Sequence, residues 1–129
     1  MLCTVIFGAV IGFCPDETIS GYAPDGVTWR LTHLDGAPVA ATAEIAFPEE
    51  GRITGRGPCN RFTARQGIAY PWIDIQAIAA TKRACPDLSF EAAYFDALSQ
   101  MTLAEVSERV LILSDATGQQ MVFAPAPAQ

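Results

Sequence analysis

Alternating apolar and polar positions set in at Val27. In Val27-Thr28-Trp29-Arg30-Leu31-Thr32-His33-Leu34, the residues Val27, Trp29 and Leu31 share one side, with His33 in register to join them, and the segment reads as a strand. Asp35-Gly36 is a turn signal. Thr42 to Phe47 alternates again, with Ala43, Ile45 and Phe47 facing one way. Pro48-Glu49-Glu50-Gly51 then turns the chain, and Arg52-Ile53-Thr54-Gly55 starts a third strand. Short strands joined by tight turns predict an antiparallel meander. Gly55, Gly57 and Pro58 mark an irregular bend, after which Phe62-Thr63-Ala64-Arg65 resumes a strand. Tyr70 to Ile75 predicts a further short strand, with Pro71 favouring an edge or the strand's start; Ile78 to Ala84 fits neither period cleanly.

The one long helical pattern runs from Asp87 to Met101. Asp87 or Ser89 is suited to its N-cap, and Glu91 sits in the first turn, where the helix dipole favours an anion. Leu88, Ala92, Phe95 and Leu98 give it an apolar face. Thr102 to Val106 is extended, Val110 to Leu113 suits a central strand, and Gln119 to Ala124 is the last strand, with Met121 and Phe123 on one side. The expected fold class is α+β: an antiparallel, strongly twisted, barrel-like sheet packed on one principal helix. Trp29, Phe47, Phe62, Trp72, Phe95 and Phe123 are expected mostly in its core.

The first fourteen residues, MLCTVIFGAVIGFC, carry no charge and are too short to span a bilayer as a helix. Their length suits the apolar part of an export signal. Cys14 closes the run and polar residues follow at once, which resembles a lipoprotein processing site with Cys14 as the lipidated residue. Phe13 is bulkier than such a site favours, and no Lys or Arg opens the leader. The alternative is a buried apolar first strand. The expected organisation is a leader over 1–14, a tether over 15–25, a domain over 26–124 and a frayed tail over 125–129. One domain is all that 129 residues allow.

Charge narrows the partners. Eight Lys and Arg against fourteen Asp and Glu give a formal charge of −6, which argues against a nucleic-acid binder and against electrostatic adhesion to acidic lipid. Membrane contact is therefore expected through a lipid anchor only. Arg52, Arg56, Arg61 and Arg65, with Asn60 among them, form the one basic cluster. It reads either as a site for an anion or acidic partner, or as a solvated hairpin whose charges discourage edge pairing.

Several segments in order carry a family resemblance: Trp29-x-Leu31-x-x-Leu34-x-Gly36, Phe47-x-x-x-Gly51-Arg52-Ile53-x-Gly55, Cys59-Asn60-Arg61-Phe62, Thr81-x-x-Ala84-Cys85-Pro86, Glu91-x-x-x-Phe95-x-x-Leu98 and Leu111-x-Leu113-x-x-x-x-Gly118. This set resembles the META/HslJ family over Val27 to Phe123, the cysteine-containing pieces being the most specific. Pro58 departs from it, standing where the family commonly has glycine. The resemblance implies a small barrel-like α+β envelope domain associated with heat or antibiotic stress, virulence and secretion. It offers no catalytic residues to carry over.

In an oxidising periplasm Cys59 and Cys85 are expected to form a disulfide; the alternative is two buried thiols. A cysteine-nucleophile enzyme needs a nearby base, and His33, the one histidine, sits in a strand among apolar neighbours. No G-x-S-x-G elbow and no phosphate loop is present. The leading expectation is a non-catalytic periplasmic envelope domain, lipid-anchored to the outer membrane, without cofactor or metal, acting through binding or in envelope-stress tolerance. Its partner would be an envelope protein or an apolar ligand, and the sequence leaves the oligomeric state open. The second reading is a carrier or pilot-like module holding an apolar ligand or a partner's segment between sheet and helix; the third is a thiol-dependent enzyme.

Overall fold

The computed structural model describes residues 5–6, 9–10 and 15–127. Within the leader, Val5–Ile6 (β1) and Ala9–Val10 (β2) pair antiparallel. Cys14, the expected lipid attachment point, lies outside the described residues, as do Cys3, Ala128 and Gln129.

Residues 15–25, expected as a tether, are built into the domain. Asp16 accepts hydrogen bonds from the Thr18 amide at 2.8 Å and from the hydroxyls of Thr18 and Ser20, starting a single helical turn, Ile19–Tyr22 (α1). Burial pushes the Asp16 carboxyl up, but the hydrogen bonds from Ser20 and Thr18 outweigh it and leave the group below its ordinary range. Ile19 is buried in the core, the Tyr70 amide donates to Glu17 O at 2.8 Å, and Tyr22 stacks on Tyr70 at 4.5 Å. A polar stretch holding one well-placed Ile therefore joins the core.

The body follows the meander: Thr28–Leu34 (β3), Ala37–Pro38 (β4), Glu44–Glu49 (β5), Arg52–Arg56 (β6), Arg61–Arg65 (β7), Gln76–Ala80 (β8), Leu88–Gln100 (α2), Leu103–Val106 (β9), Leu111–Ser114 (β10) and Gln120–Pro125 (β11). All pairings are antiparallel, in the order β8-β7-β6-β5-β3-β11-β10-β9, with β4 beside β3. Inward positions of β3 and of β5 through β11 meet one core that holds Trp29, Leu31, Ile45, Ile53, Phe62, Leu111, Leu113, Met121 and Phe123, with Tyr94 and Leu98 of α2 and Met101 just after it.

Tyr70 to Ile75 does not form the expected strand. Instead it lies along the free edge of β9 in a curled half-barrel. Trp72 makes an isolated bridge to Leu103, Ile73 N donates to Thr102 O at 3.0 Å, and Ala104 N donates to Pro71 O at 2.7 Å. This segment covers the outer edge of β9 and then leads into β8 at the opposite end of the strand order. Pro71, lacking a donor, still serves through its carbonyl. Ile73 and Ile75 point into the core, while Trp72, expected there, is 57% exposed.

Three further expectations are corrected. A bulge in the β11–β3 ladder between Val122 and Phe123 shifts the alternation, so His33 lies exposed and the half-buried Leu34 packs on the core. The buried stripe of α2 is Glu91, Tyr94, Ala97 and Leu98; Leu88 is 44% exposed and Ala92 also faces solvent. Finally, the tail does not leave the fold at Pro125: Pro125 pairs with Trp29, and Ala126 N donates to Thr28 O at 2.7 Å.

Candidate functional site

The most organised polar group is buried where the β6–β7 turn, the segment after β8 and the start of α2 meet. Glu91, 2% exposed, accepts the backbone amides of Cys59 at 2.8 Å and Asn60 at 2.7 Å on Oε2, and Asn60 Nδ2 at 2.6 Å on Oε1. Asn60 Nδ2 also donates to Arg83 O at 2.9 Å, and Oδ1 accepts from Thr81 Oγ1 at 2.9 Å and from Arg83 N at 2.6 Å. The Asn60 side chain thus fills all its hydrogen-bonding positions inside the protein. It is part of the framework beneath the cleft that it helps to line.

Two features lock this hub. The disulfide joins Cys59 to Cys85 with 5.6 Å between their Cα atoms. Gly57 supplies the space: a Cβ there would lie 2.7 Å from Glu91 Cγ. At Gly55 a Cβ would meet the Phe62 ring at 2.6 Å, so this residue, expected to begin a bend, is an in-strand glycine covered by its cross-strand aromatic partner.

The outer face carries the arginines. Register sets Arg52 opposite Arg65 and Arg56 opposite Arg61, with Thr54 and Thr63 between the two rows. All four side chains point away from the core, because the alternating positions Ile53, Phe62 and Ala64 are buried. Like charges directly opposite are unfavourable in a sheet, and each β6 arginine is offset by a glutamate. Glu44 on β5 takes Arg56 Nε at 2.9 Å and Arg30 Nη2 at 2.9 Å; Glu49 meets Arg52 at 3.5 Å. Burial raises the Glu44 carboxyl, yet the hydrogen bonds and charges of the two arginines outweigh it and hold the group below its ordinary range. Under this ladder the Tyr94 hydroxyl donates to Glu44 O at 2.8 Å. Its burial, reinforced by the Glu44 charge, pushes the phenol well above its ordinary range.

The structure therefore brings Arg52, Arg56, Arg61 and Arg65 onto one face, but as two separate rows. His33 lies elsewhere, its Nδ1 beside Thr32 Oγ1 at 3.0 Å, and the sulfurs of Cys59 and Cys85 are spent on each other. Sequence reading missed Arg83, Glu44 and the buried role of Glu91. The signal for Glu91 was its position three residues before Tyr94 and seven before Leu98, on the face that turns inward.

A family model described as META domain matches residues 23–128. The chain belongs to the META domain family. Two solved folds resemble this META domain. An NMR structure of a protein from Burkholderia xenovorans aligns with a TM-score of 0.67 at 16% identity, covering 98% of this chain and 100% of that one. A second NMR structure aligns with a TM-score of 0.61 at 20% identity, covering 88% of this chain and 96% of that one. At those identities the likeness is one of fold. No curated protein matches this META domain at a significant level.

Proposed function

We propose that this META domain is a non-catalytic binding module of the bacterial envelope, exported by its leader, anchored to the outer membrane through lipid on Cys14, and serving envelope-stress tolerance. The observation that carries the reading is the Cys59–Cys85 disulfide set over a buried polar hub, since such bonds persist in oxidising compartments and are rare in the cytosol. With both sulfurs bonded, a thiolate nucleophile at either position loses its support. Among the described residues no helix is long and apolar enough to cross a membrane, so the anchor in this reading is lipid alone. Because Asp16 is already tied to α1, lipid on Cys14 would leave almost no slack, and the domain would ride directly on the bilayer surface.

The test is expression of the full chain in a Gram-negative host, followed by fractionation and intact mass measurement. The expected product begins at Cys14, carries acyl mass, sediments with membranes, and shows neither Cys59 nor Cys85 open to alkylation. Cys14→Ala should abolish the acyl mass. An unprocessed cytosolic chain with both body thiols alkylatable would overturn the proposal.

One observation favours the carrier reading as an alternative. The space between sheet and helix is filled, but an open cleft of about 380 Å³ lies outside it, beside Leu88, Ala92 and Phe95. An acyl chain fits that lining, and lipid co-purifying with the wild type but not with Leu88→Glu would support a carrier.

A further inference from the structure

The charge of this chain is segregated. Residues 51–83 carry a formal charge of +5, against −11 for the remainder. With a screening length of about 8 Å in physiological salt, a ligand at this face meets the local sign, not the total. Of the clefts in the basic region, one gathers three arginines. Arg56, Arg61 and Arg83 line about 230 Å³ at the end of the β6–β7 hairpin, together with Gly57, Pro58 and Thr81. Arg56 contacts Glu44 through Nε, and among the described residues its terminal nitrogens make no hydrogen bond. Among the described residues neither Arg61 nor Arg83 has a carboxylate within salt-bridge distance. The backbone beneath is fixed. Thr81 N donates to Arg61 O at 3.0 Å, Arg61 N donates to Thr81 Oγ1 at 3.2 Å, Arg83 is held on both sides by the Asn60 amide, and Cys85 is tethered two residues on.

We propose that this cleft is an oxyanion site for a phosphate group, carried by a phosphomonoester or by a phospholipid headgroup, with Arg56, Arg61 and Arg83 as its ligands. Guanidinium groups match phosphate oxygens with paired hydrogen bonds. An arriving dianion would also relieve the Arg56–Arg61 cross-strand repulsion that the fold otherwise tolerates. The inference does not depend on export or on Cys14. Thr81 and Arg83 also border the apolar cleft beside α2, so a headgroup here and an acyl chain there would be neighbours.

The experiment titrates the full chain with glycerol 3-phosphate, following backbone amide shifts, and separately with vesicles of pure phosphatidylcholine or phosphatidylcholine containing phosphatidylglycerol. Arg61→Ala and Arg83→Ala should each weaken binding at least tenfold. Arg52→Ala and Arg65→Ala, which change the net charge equally but sit about 13 Å along the strands, should weaken it less than twofold. Shifts around Arg56, Arg61 and Arg83 with the soluble phosphate assign a phosphomonoester site. Binding to the anionic vesicles alone, lost in Arg61→Ala and Arg83→Ala, assigns a lipid headgroup. Equal effects of all four substitutions, or no binding to either probe, would overturn the proposal. All four residues are outside the core, and retained amide dispersion in each variant confirms that the fold is intact.

Discussion

Two buried glutamates are stabilised by different means. Among the described residues Glu91 makes no salt bridge; three N–H groups converge on it, two from the backbone and one from the Asn60 side chain. Removing the carboxylate leaves those donors in a dry site, each costing about 1–3 kcal/mol. Glu91→Ala should therefore destabilise the domain by at least ~3 kcal/mol, read from the urea midpoint; a change under 1 kcal/mol would show that water enters the hub. Glu44 instead sits between Arg30 and Arg56, and its folded-state carboxyl is depressed. A depressed carboxyl contributes stability above its unfolded pKa and loses it as pH falls through the folded value. Glu44→Gln should cost about 1 kcal/mol at pH 7, and its deficit against the wild type should close as pH falls through and below the ordinary carboxylate range. Asp16 and Asp115, also below their ordinary range, keep a residual acid slope in both proteins. Parallel stability curves for the two proteins would refute the coupling.

At the level of elements, what the sequence made legible was period, and what it hid was rotation and register. The strands containing Trp29, Ile45, Ile53 and Met121 were readable because apolar and polar positions alternate over most of each, although bulges break the period after Leu31 and after Ala46. The helix was readable as a helix, but its apolar face pointed to Leu88 and Ala92, whereas the fold buries Glu91 and Tyr94. A carboxylate or phenol counts as polar until its partners are known, and those partners lie 31 residues away for Asn60 and 50 for Glu44. The clustering of Arg52 to Arg65 was likewise visible, but the pairing Arg56–Arg61 depends on where the β6–β7 turn sits. Arg83 joins them only through the tertiary structure. The segment before β3 shows the same limit most sharply, since a single Ile among polar residues carries no period. Ile19 nevertheless packs into the core at 1% exposure. Truncating it should behave as a core change, so Ile19→Ala is expected to cost about 2–4 kcal/mol in thermal or denaturant unfolding. A true tether would show no effect, and that result would return residues 15–25 to linker status.

Across the whole molecule, one long excursion covers the edge of β9. The chain leaves β7, crosses to cover the edge of β9, returns as β8 and only then enters α2. The disulfide spans this excursion, joining positions 26 residues apart just before β7 and just before α2. In the loop-entropy picture such a crosslink contributes about 3.5 kcal/mol by restricting the unfolded chain, a large share of the roughly 5–15 kcal/mol typical of a domain. The central strands β3 and β11 are not enclosed by it and are held by their own ladder and core. Loss of the bond should therefore act unevenly. In Cys59→Ser/Cys85→Ser, global stability should fall by about 3.5 kcal/mol. Amide exchange should accelerate first at Cys59-derived Ser, Asn60 and Arg83, where the hub loses its clasp, while Leu31 and Phe123 exchange only through global unfolding. Hydrogen-exchange mass spectrometry on oxidised and reduced wild type separates the two components. Uniform acceleration across all strands would mean that the bond acts on the unfolded chain alone and that the hub stands without it.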